Sequence, residues 1–384
     1  MNTRFDKILN IVTIVLVMGF IFGFAIAFWL VPDKDFSEQE NRFLQSTPVL
    51  EADSFFSGEW MEDVASYYSD QFPLRNSFVN IKAIAELAMG KRQNHDVILS
   101  SGDFLVAWEH NPNYEVLTKN LKALNTFGAK MEEQNIPVTI ALAGRTVDVA
   151  PQVLPRSYPY QVDWDLWNEA LSLLSKRDAL DLRMSLRLTQ LEPETIYYRT
   201  DHHWTTTGAY HGYVSLMKHW NMDYKSADFF DVTVVSDQFY GTIWSSSGMS
   251  WIGPDSMEYY RFDGDMDYTT SIPEINKSFE GFYDTSYLEQ KDKYSSFISG
   301  NNGVVYVTKN GDNTERETLL LVKDSFAHSM VPFLAIHYDL VIVDMRYYGK
   351  PISKLLETVE VDRVLVLVNM ETLIDEYQFG LITK

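Results

Sequence analysis

The stretch Thr318-Leu-Leu-Leu-Val-Lys-Asp-Ser-Phe-Ala-His328 contains a short apolar run, a turn and the start of a helical pattern. A strand that turns sharply into a helix exposes the turn residue at the carboxyl end of a sheet. Ser325 occupies that position. Because the chain has no cysteine, a nucleophile here has to be a hydroxyl. This stretch therefore predicts an α/β fold with a candidate nucleophilic serine at the edge of the sheet.

A second stretch carries the acid-base groups that such a serine needs. Asp201, His202, His203 and Trp204 stand in a row just before a predicted helix over 206–220. A histidine can accept the proton of a nucleophile near neutral pH, and a carboxylate fixes its tautomer and stabilises the imidazolium. On the residues alone, the alternative is that the aspartate caps the helix and the histidine belongs to the core. The two stretches are far apart in the chain, so only folding can bring them together.

The motif Asp201-His-His-Trp204 resembles the signature of the bacterial DHHW protein family. That family resembles the SGNH hydrolase superfamily through the alginate O-acetylation proteins, in which an Asp-x-His-Trp motif precedes a Gly-Asp-Ser-type motif. The resemblance implies an SGNH-like three-layer α/β/α domain with a Ser-His-Asp acyl-transfer site. It gives Asp201 as orienter, His203 as base and Ser325 as nucleophile. Lys323 departs from the pattern, since the wider superfamily has glycine there. Further family-like segments extend the likeness over nearly everything after the first 35 residues: Ser37–Arg42, Asp70–Arg75 and Phe239–Thr242.

The histidine and tryptophan of this motif have alternative roles. His202 is the rival base, but the resemblance favours His203 and leaves His202 to form a structural hydrogen bond or to touch substrate. Trp204 can serve as a sugar platform or pack in the core. His328, about one helical turn after Ser325, either faces the site or lies on the helix surface.

Three further residues are candidates for oxyanion or substrate contacts. An oxyanion hole uses the backbone N–H of the nucleophile and additional N–H donors. Gly241 and Asn369 are candidates for those additional donors. Arg346, at another strand end, can orient an acidic substrate or brace the site through a structural salt bridge.

A metal site is the competing chemistry for the same stretch. Asp201, His202, His203 and His211 offer carboxylate and imidazole ligands. Their spacing is not that of an HExxH motif, and adjacent histidines on an extended segment point in opposite directions. We therefore expect neither a resident metal nor a cofactor.

The amino terminus predicts a membrane anchor. Residues 8–31 are almost wholly apolar and match the roughly 20 residues that cross a bilayer. Arg4 and Lys7 precede this run and acidic residues follow it, which places the amino terminus in the cytoplasm and the rest outside. The alternative is a secreted protein released by cleavage near Ala25-Ile-Ala27. The formal net charge of -21 argues against nucleic acid as a partner.

The remaining pattern predicts a stalk and helical lead-in over 32–90 and an SGNH-like catalytic domain over 91–384. Strands and helices alternate in this domain, which indicates a mostly parallel, doubly wound sheet. Residues 222–300 are predicted to form a β-rich and loop-rich insertion that shapes the substrate groove. The predicted elements are a hairpin over 97–108, strands over 138–143, 179–182, 304–307, 318–322, 340–344 and 363–368, and helices over 55–68, 76–89, 114–134, 163–176 and 206–220 and from Phe326.

By this resemblance, the expected protein is a membrane-anchored acyltransferase or esterase that moves O-acetyl groups on a cell-surface glycan through an acyl-serine. Transfer would imply a multipass membrane O-acyltransferase as partner. One alternative is a non-catalytic SGNH-like component that binds glycan or assembles a complex. Another is a general extracellular carboxylesterase.

Overall fold

The computed structural model describes residues 3–108, 111–311 and 315–384 and contains two compact units. The first unit comprises the residues up to 94 together with 248–250. The second comprises 95–247 and 251–384.

The first unit is mainly helical. Its helices are α1 Thr3–Leu30, α2 Ala52–Ser57, α3 Glu59–Asp70 and α4 Arg75–Ala88, and its strands are β1 Phe36–Ser37, β2 Arg42–Phe43 and β3 Gln93–Asn94. The helix predicted over 55–68 is split into α2 and α3 because Gly58 adopts a left-handed conformation with φ of 90°. Within the described residues, α1 is the one helix long and apolar enough to cross a membrane, over Phe5–Leu30.

The second unit is built on an eight-stranded sheet. The strands of the second unit, including four outside this sheet, are β4 Val97–Leu99, β5 Leu105–Ala107, β6 Val138–Ala143, β7 Asp178–Asp181, β8 Asp231–Phe239, β9 Asp255–Arg261, β10 Tyr268–Ile272, β11 Lys277–Glu280, β12 Val304–Lys309, β13 Thr318–Lys323, β14 Asp339–Val343 and β15 Arg363–Asn369. The sheet order is β11-β10-β12-β14-β13-β15-β6-β7. The strands from β14 to β7 run parallel to one another, whereas β10, β11 and β12 add an antiparallel edge.

Helices cover both faces of this sheet. They are α5 Tyr114–Glu132, α6 Thr146–Val149, α7 Tyr160–Leu173, α8 Leu182–Arg187, α9 Pro193–Ile196, α10 Thr206–His219, α11 Thr242–Ser247, α12 Val331–Ala335, α13 Met345–Tyr348, α14 Ser353–Leu356 and α15 Met370–Asp375. Side chains alternate along β13, so that Leu319 and Leu321 enter one core while Leu320 and Val322 enter the other. The predicted three-layer α/β/α architecture is confirmed, with a mixed sheet.

The stretch 222–300, predicted as a β-rich and loop-rich insertion, contains the strands β8, β9, β10 and β11. β8 and β9 pair with each other, but β10 and β11 extend the central sheet through β12. Alternation of buried and half-buried residues along β10 is typical of an edge region with one covered face. The helix predicted from Phe326 also differs, because a 3₁₀ helix over Ser325–Met330 precedes α12.

Candidate active site

The turn after β13 fixes the position of Ser325. Asp324 caps the 3₁₀ helix, with its Oδ1 accepting the N–H of Phe326 at 2.9 Å. Its Oδ2 accepts the N–H of Asn369 at 2.6 Å and the hydroxyl of Thr372 at 2.8 Å. Because Asn369 ends the adjacent strand β15 and Thr372 follows it, Asp324 ties the ends of two parallel strands together. Ser325 is thereby held at the carboxyl edge of the sheet.

The segment with the two histidines forms a narrow loop before α10. Tyr197 and Trp204 form an isolated antiparallel bridge, and the N–H of Tyr198 donates to the carbonyl of His203 at 3.3 Å. Thr205 then caps α10 through its side chain, which accepts the N–H of Gly208 at 3.0 Å. The loop is therefore closed at its base, and its tip presents the acid-base residues.

The fold joins the two stretches in one chain of hydrogen bonds. His203 Nδ1 lies 2.5 Å from Asp201 Oδ1, and His203 Nε2 lies 2.7 Å from Ser325 Oγ. Asp201 Oδ1 also accepts the backbone N–H of His203 at 3.0 Å. Asp201 and His203 are buried, so little water competes for these contacts. The arrangement is that of a nucleophile, a base and a carboxylate that orients the base.

Two contacts hold the Asp201 carboxylate in place. Its Oδ2 accepts the backbone N–H of Thr242 at 2.8 Å and the Thr242 hydroxyl at 3.1 Å. Burial raises the pKa of Asp201, but His202, His203 and the hydrogen bonds to the carboxylate outweigh this effect and hold the pKa below its ordinary value. The carboxylate is therefore ionised and available to the histidine.

The surroundings of the His203 ring favour its neutral form. Burial and the neighbouring His202 lower the pKa of His203, although the Asp201 carboxylate opposes them. The Tyr294 ring stacks on the His203 imidazole, with ring centroids 3.9 Å apart and an interplanar angle of 11°. The Tyr294 hydroxyl donates to the Ser325 carbonyl at 3.1 Å. Tyr294 thus contacts both the candidate base and the turn that carries the candidate nucleophile.

Trp204 and His202 differ in exposure. Trp204 is fully buried, and its indole N–H lies 2.8 Å from the Phe326 carbonyl and 3.1 Å from Ser329 Oγ. It therefore takes the packing role rather than that of a sugar platform. His202 is partly exposed, and its Nδ1 lies 2.7 Å from the Thr242 hydroxyl.

Lys323 belongs to a buried ionic cluster beside the turn that carries Ser325. Its Nζ donates to His328 Nε2 at 2.6 Å and to Asp344 Oδ2 at 3.0 Å. Arg346 closes the cluster with two contacts to Asp344, at 2.9 and 2.7 Å. Burial lowers the pKa of Lys323 and, together with the positive charge of Lys323, lowers that of His328. Arg346 thus has the bracing salt bridge, and His328 is buried, not part of an exposed helix surface.

The two expected oxyanion donors are engaged elsewhere. The Gly241 N–H donates to Thr200 Oγ1 at 3.1 Å. Asn369 Nδ2 donates to the Ala143 carbonyl at 3.2 Å, while its Oδ1 caps α15 by accepting the Glu371 N–H. Gly241 is instead required for close packing, because a Cβ atom there would lie 2.2 Å from the Cβ atom of Asp201.

The possible metal ligands overlap with the hydrogen-bonded chain. Among the described residues, Asp201, His202 and His203 can each offer one ligand atom within 4.8 Å of the others. The His203 nitrogens, however, lie against Asp201 and Ser325. A metal bound through His203 would have to replace one of these contacts.

A small cavity lies next to the motif. It has a volume of about 170 Å³, and His202 contributes to its wall. Trp108, Arg145 and Glu371 provide an aromatic ring and charges of both signs. The other lining residues are His95, Asp96, Val97, Val106, Ala107, Thr146, Val147, Ile243 and Ser246. Rings and polar groups of this kind can hold a sugar.

Three residues of the site escaped the sequence analysis. Thr242 stands in the quoted Phe239–Thr242 segment, which could have indicated it. Asp324 directly precedes Ser325, and its preference for cap positions is a usable signal. Tyr294 lies in an irregular region where nothing in the local pattern distinguishes it from a core aromatic residue.

Two family models match parts of this chain. The family model for DHHW proteins matches residues 184–344, which include Asp201, His203 and Ser325. Residues 184–344 are therefore similar to the DHHW family. A second model, for the SGNH hydrolase-like domain of acetyltransferase AlgX, matches residues 104–242. The resemblance expected from the motif is therefore confirmed.

Two curated relatives are described as probable alginate O-acetylases AlgJ. The one from Pseudomonas fluorescens is 25% identical over 159 residues, which are 40% of this chain and 40% of that protein. The one from Pseudomonas syringae pv. tomato is 21% identical over 162 residues, again 40% of each chain. The matched part thus spans well under half of the relatives.

Solved structures show the same fold. A DHHW family protein from Eubacterium siraeum has a TM-score of 0.62 and 19% identity, with 75% of this chain and 95% of that chain covered. Bacillus cereus PatB1, solved with a sulfonyl adduct, has a TM-score of 0.59 and 20% identity, with 74% and 96% covered.

Proposed function

We propose that the chain is an O-acetyltransferase or acetylesterase that acts on a cell-surface polysaccharide through an acyl-serine intermediate. The observation that carries this proposal is the hydrogen-bonded chain from Asp201 through His203 to Ser325. The names of the curated relatives, probable alginate O-acetylases, support acetyl groups as the cargo and a polysaccharide as the acceptor.

The contacts support a two-step reaction. Ser325 Oγ attacks the acetyl carbonyl of the donor while His203 Nε2 takes the serine proton. The bond between the acetyl carbon and the leaving oxygen then breaks, and His203 returns the proton to the leaving group. In the second step His203 deprotonates a sugar hydroxyl or water, whose oxygen attacks the acyl-serine. His203 finally returns the proton to Ser325.

The turn geometry supplies one donor for the oxyanion. The N–H of Ser325 has no acceptor within the part of the chain that the structure describes, since Asp324 Oδ1 caps Phe326 instead. This N–H lies at the start of the 3₁₀ helix, next to the nucleophilic oxygen. It can stabilise the negative oxygen of the tetrahedral intermediate.

The proposed binding site for the acetyl acceptor and the proposed membrane location of the protein rest on features outside the hydrogen-bonded chain. The cavity beside His202, with Trp108 in its wall, is the proposed acceptor site. α1 is proposed as a single-pass anchor with a cytoplasmic amino terminus and the second unit outside. An acetyl group used there has to cross the membrane, so a multipass O-acyltransferase is the proposed partner.

The test uses the full chain in detergent, with 4-nitrophenyl acetate as donor and a sulfonyl fluoride as serine-directed label. We expect the Ser325→Ala variant to lose labelling and to lower kcat at least about 10³-fold. Ser353→Ala, at the start of α14, is the matched control and should keep both properties. Peptide mapping of the labelled wild type identifies the modified serine.

Two results would contradict the catalytic proposal. One is labelling at a serine other than Ser325, and the other is a folded wild type as inert as Ser325→Ala. In the second case, a polysaccharide that binds without turnover would identify the chain as a glycan-binding component. If the acetyl group appears on an added oligosaccharide and not as free acetate, the reaction is transfer and not hydrolysis.

A further inference from the structure

A largely exposed apolar face runs along α4 in the first unit. Successive helical residues are about 100° apart, which places five apolar side chains within an arc of about 120°. These residues are Phe78, Ile81, Ile84, Ala85 and Ala88. Ile81 is 61% exposed and Ile84 is 54% exposed, so the neighbouring elements leave these two side chains largely uncovered. An exposed apolar surface of this length marks an interaction site.

Charged residues border this face. Arg75, Lys82 and Glu86 fall together in a neighbouring arc of about 40° on the same helical wheel. Arg75 forms a salt bridge with Glu40, and Glu86 contacts Lys82 and Lys91. A helix with an apolar face and a charged flank is typical of one lying in a membrane interface.

Aromatic contacts join the start of α4 to the long helix α1. The Phe72 ring stacks on Phe24, with centroids 5.3 Å apart and an interplanar angle of 6°. Phe78 packs edge-on against Phe24 at 5.5 Å and against Phe20 at 6.3 Å. The apolar surface of α4 is therefore continuous with the surface of α1.

The depth of these contacts identifies the occupant. Phe24 and Phe20 lie six and ten residues before Leu30, the last residue of α1, which corresponds to about 9 and about 15 Å along the helix axis. The hydrocarbon layer of a bilayer is about 30 Å thick. If α1 spans the membrane, rings that pack on Phe24 and Phe20 therefore lie at the level of the lipid tails.

A cavity with a largely apolar wall lies between α1 and the start of α4. Its volume is about 860 Å³, which is large enough for lipid chains. Much of its wall is apolar, with Gly19, Phe20, Gly23, Phe24 and Ala27 on α1 and Phe72, Pro73 and Leu74 on the other side. Within α1, the helix surface around Gly19 and Gly23 is open, since a Cβ atom at either glycine would meet nothing within 4 Å.

We propose that α4 and Phe72 are inserted into the same lipid leaflet as the carboxyl-terminal half of α1, so that the first unit is held in the membrane by two elements. This inference rests on the proposed membrane anchor. The net charge of -21 does not favour attraction to anionic lipid, so the insertion depends on the apolar face. It is therefore expected in zwitterionic bilayers and at high salt.

The absence of cysteine makes site-directed labelling straightforward. The full chain is placed in phosphatidylcholine nanodiscs as three single-cysteine variants, each carrying an environment-sensitive nitrobenzoxadiazole probe. Ile81→Cys reports on the apolar face of α4, and Val15→Cys reports on α1. Lys82→Cys is the matched control on the charged flank of α4, with its side chain 51% exposed. Quenching by spin-labelled lipid is compared with quenching by an aqueous nickel chelate.

We expect the probes at Val15 and Ile81 to be quenched at least threefold more by spin-labelled lipid than the probe at Lys82, and to be shielded from the nickel chelate. A shielded Val15 probe with an Ile81 probe as accessible as Lys82 would overturn the proposal for α4 and leave the anchor standing. An Ile81 probe shielded from both quenchers would indicate a partner helix as the occupant and would also overturn the proposal for α4. An accessible Val15 probe would overturn both.

Discussion

Gly241 determines how closely the backbone can approach the carboxylate of Asp201. The nearest atoms to a Cβ at this position are the Cβ and Oδ2 atoms of Asp201, at 2.2 and 2.4 Å, and its Cα atom at 2.7 Å. Since the last of these is backbone, rotating the aspartate side chain cannot relieve the clash. The loop has to move, and the contact of Thr242 with the same carboxylate moves with it.

We expect Gly241→Ala to lower kcat/KM at least about 10²-fold, because a small misplacement of a catalytic group has an effect of this size. Overpacking should also lower the free energy of unfolding by about 1–3 kcal/mol. Gly253→Ala is the matched control, since a Cβ there meets nothing within 4 Å. Ester turnover and urea unfolding measure the two effects. A wild-type rate for Gly241→Ala would contradict the assigned role of Asp201.

Sequence alone identified the residues of the hydrogen-bonded chain but not their environment. Asp201, His203 and Ser325 could be predicted because each stands in a short motif with a known chemical purpose. The role of Lys323 could not be predicted, because its partners Asp344 and His328 come into contact with it only when β13, β14 and the 3₁₀ helix pack together. The oxyanion role considered for Gly241 overlooked Thr200, which takes its N–H.

At the scale of elements, Trp204 links the loop that carries the base to the 3₁₀ helix that carries Ser325. Its indole N–H is within hydrogen-bond distance of the Phe326 carbonyl and Ser329 Oγ, while its ring packs against the Phe326 ring at 5.5 Å. Trp204 therefore contributes, beside Tyr294, to the distance between the two candidate catalytic segments.

Trp204→Phe should keep the aromatic packing and remove the indole donor. Leaving two buried acceptors without that donor is expected to lower the free energy of unfolding by about 1–3 kcal/mol. The rate of ester turnover should fall about 10- to 100-fold because the distance between His203 and Ser325 changes. Trp220→Phe, whose indole donates to Thr139 Oγ1 at 2.8 Å, is the control. It should lose stability at an unchanged kcat, and an equal loss of rate in both variants would refute the linking role.

The buried strands were the most predictable elements. The runs of β6, β13 and β15 are short and continuous in apolar residues, which is typical of parallel strands covered on both faces. The helix after Ser325 was predicted with its start misplaced, because capping by Asp324 favours a tight 3₁₀ turn before α12. Hydrophobic periodicity does not distinguish these two helix types over six residues.

At the scale of the whole molecule, long-range pairing limits what a sequence shows. β10 and β11 lie in a stretch that has the composition of an insertion, yet they pair with the sheet edge at β12. Antiparallel edge strands have short alternating patterns that fit either a separate hairpin or an extended sheet. Only the register between Tyr268 and Lys309, which are far apart in the chain, decides between these possibilities.

The charge of the whole molecule bears on the proposed polysaccharide acceptor. The formal net charge is -21. Among the described residues in the wall of the cavity beside His202, Arg145 is already paired with Asp148 and Asp163. Glu371 and Asp96 also line this cavity. An acidic polysaccharide such as a polyuronate would therefore approach against repulsion, whereas a neutral glycan would not.

Salt distinguishes these two kinds of acceptor. Raising the ionic strength from about 10 mM to about 0.1 M shortens the screening length from about 30 to about 10 Å. We expect kcat/KM for transfer to a uronate oligosaccharide to rise about three- to tenfold over this range, since screening removes repulsion during the encounter. Transfer to a neutral oligosaccharide of equal length is the control and should change less than twofold. A rate on the uronate acceptor that falls with salt would instead indicate local attraction at the cavity, with Arg145 as the residue to substitute next.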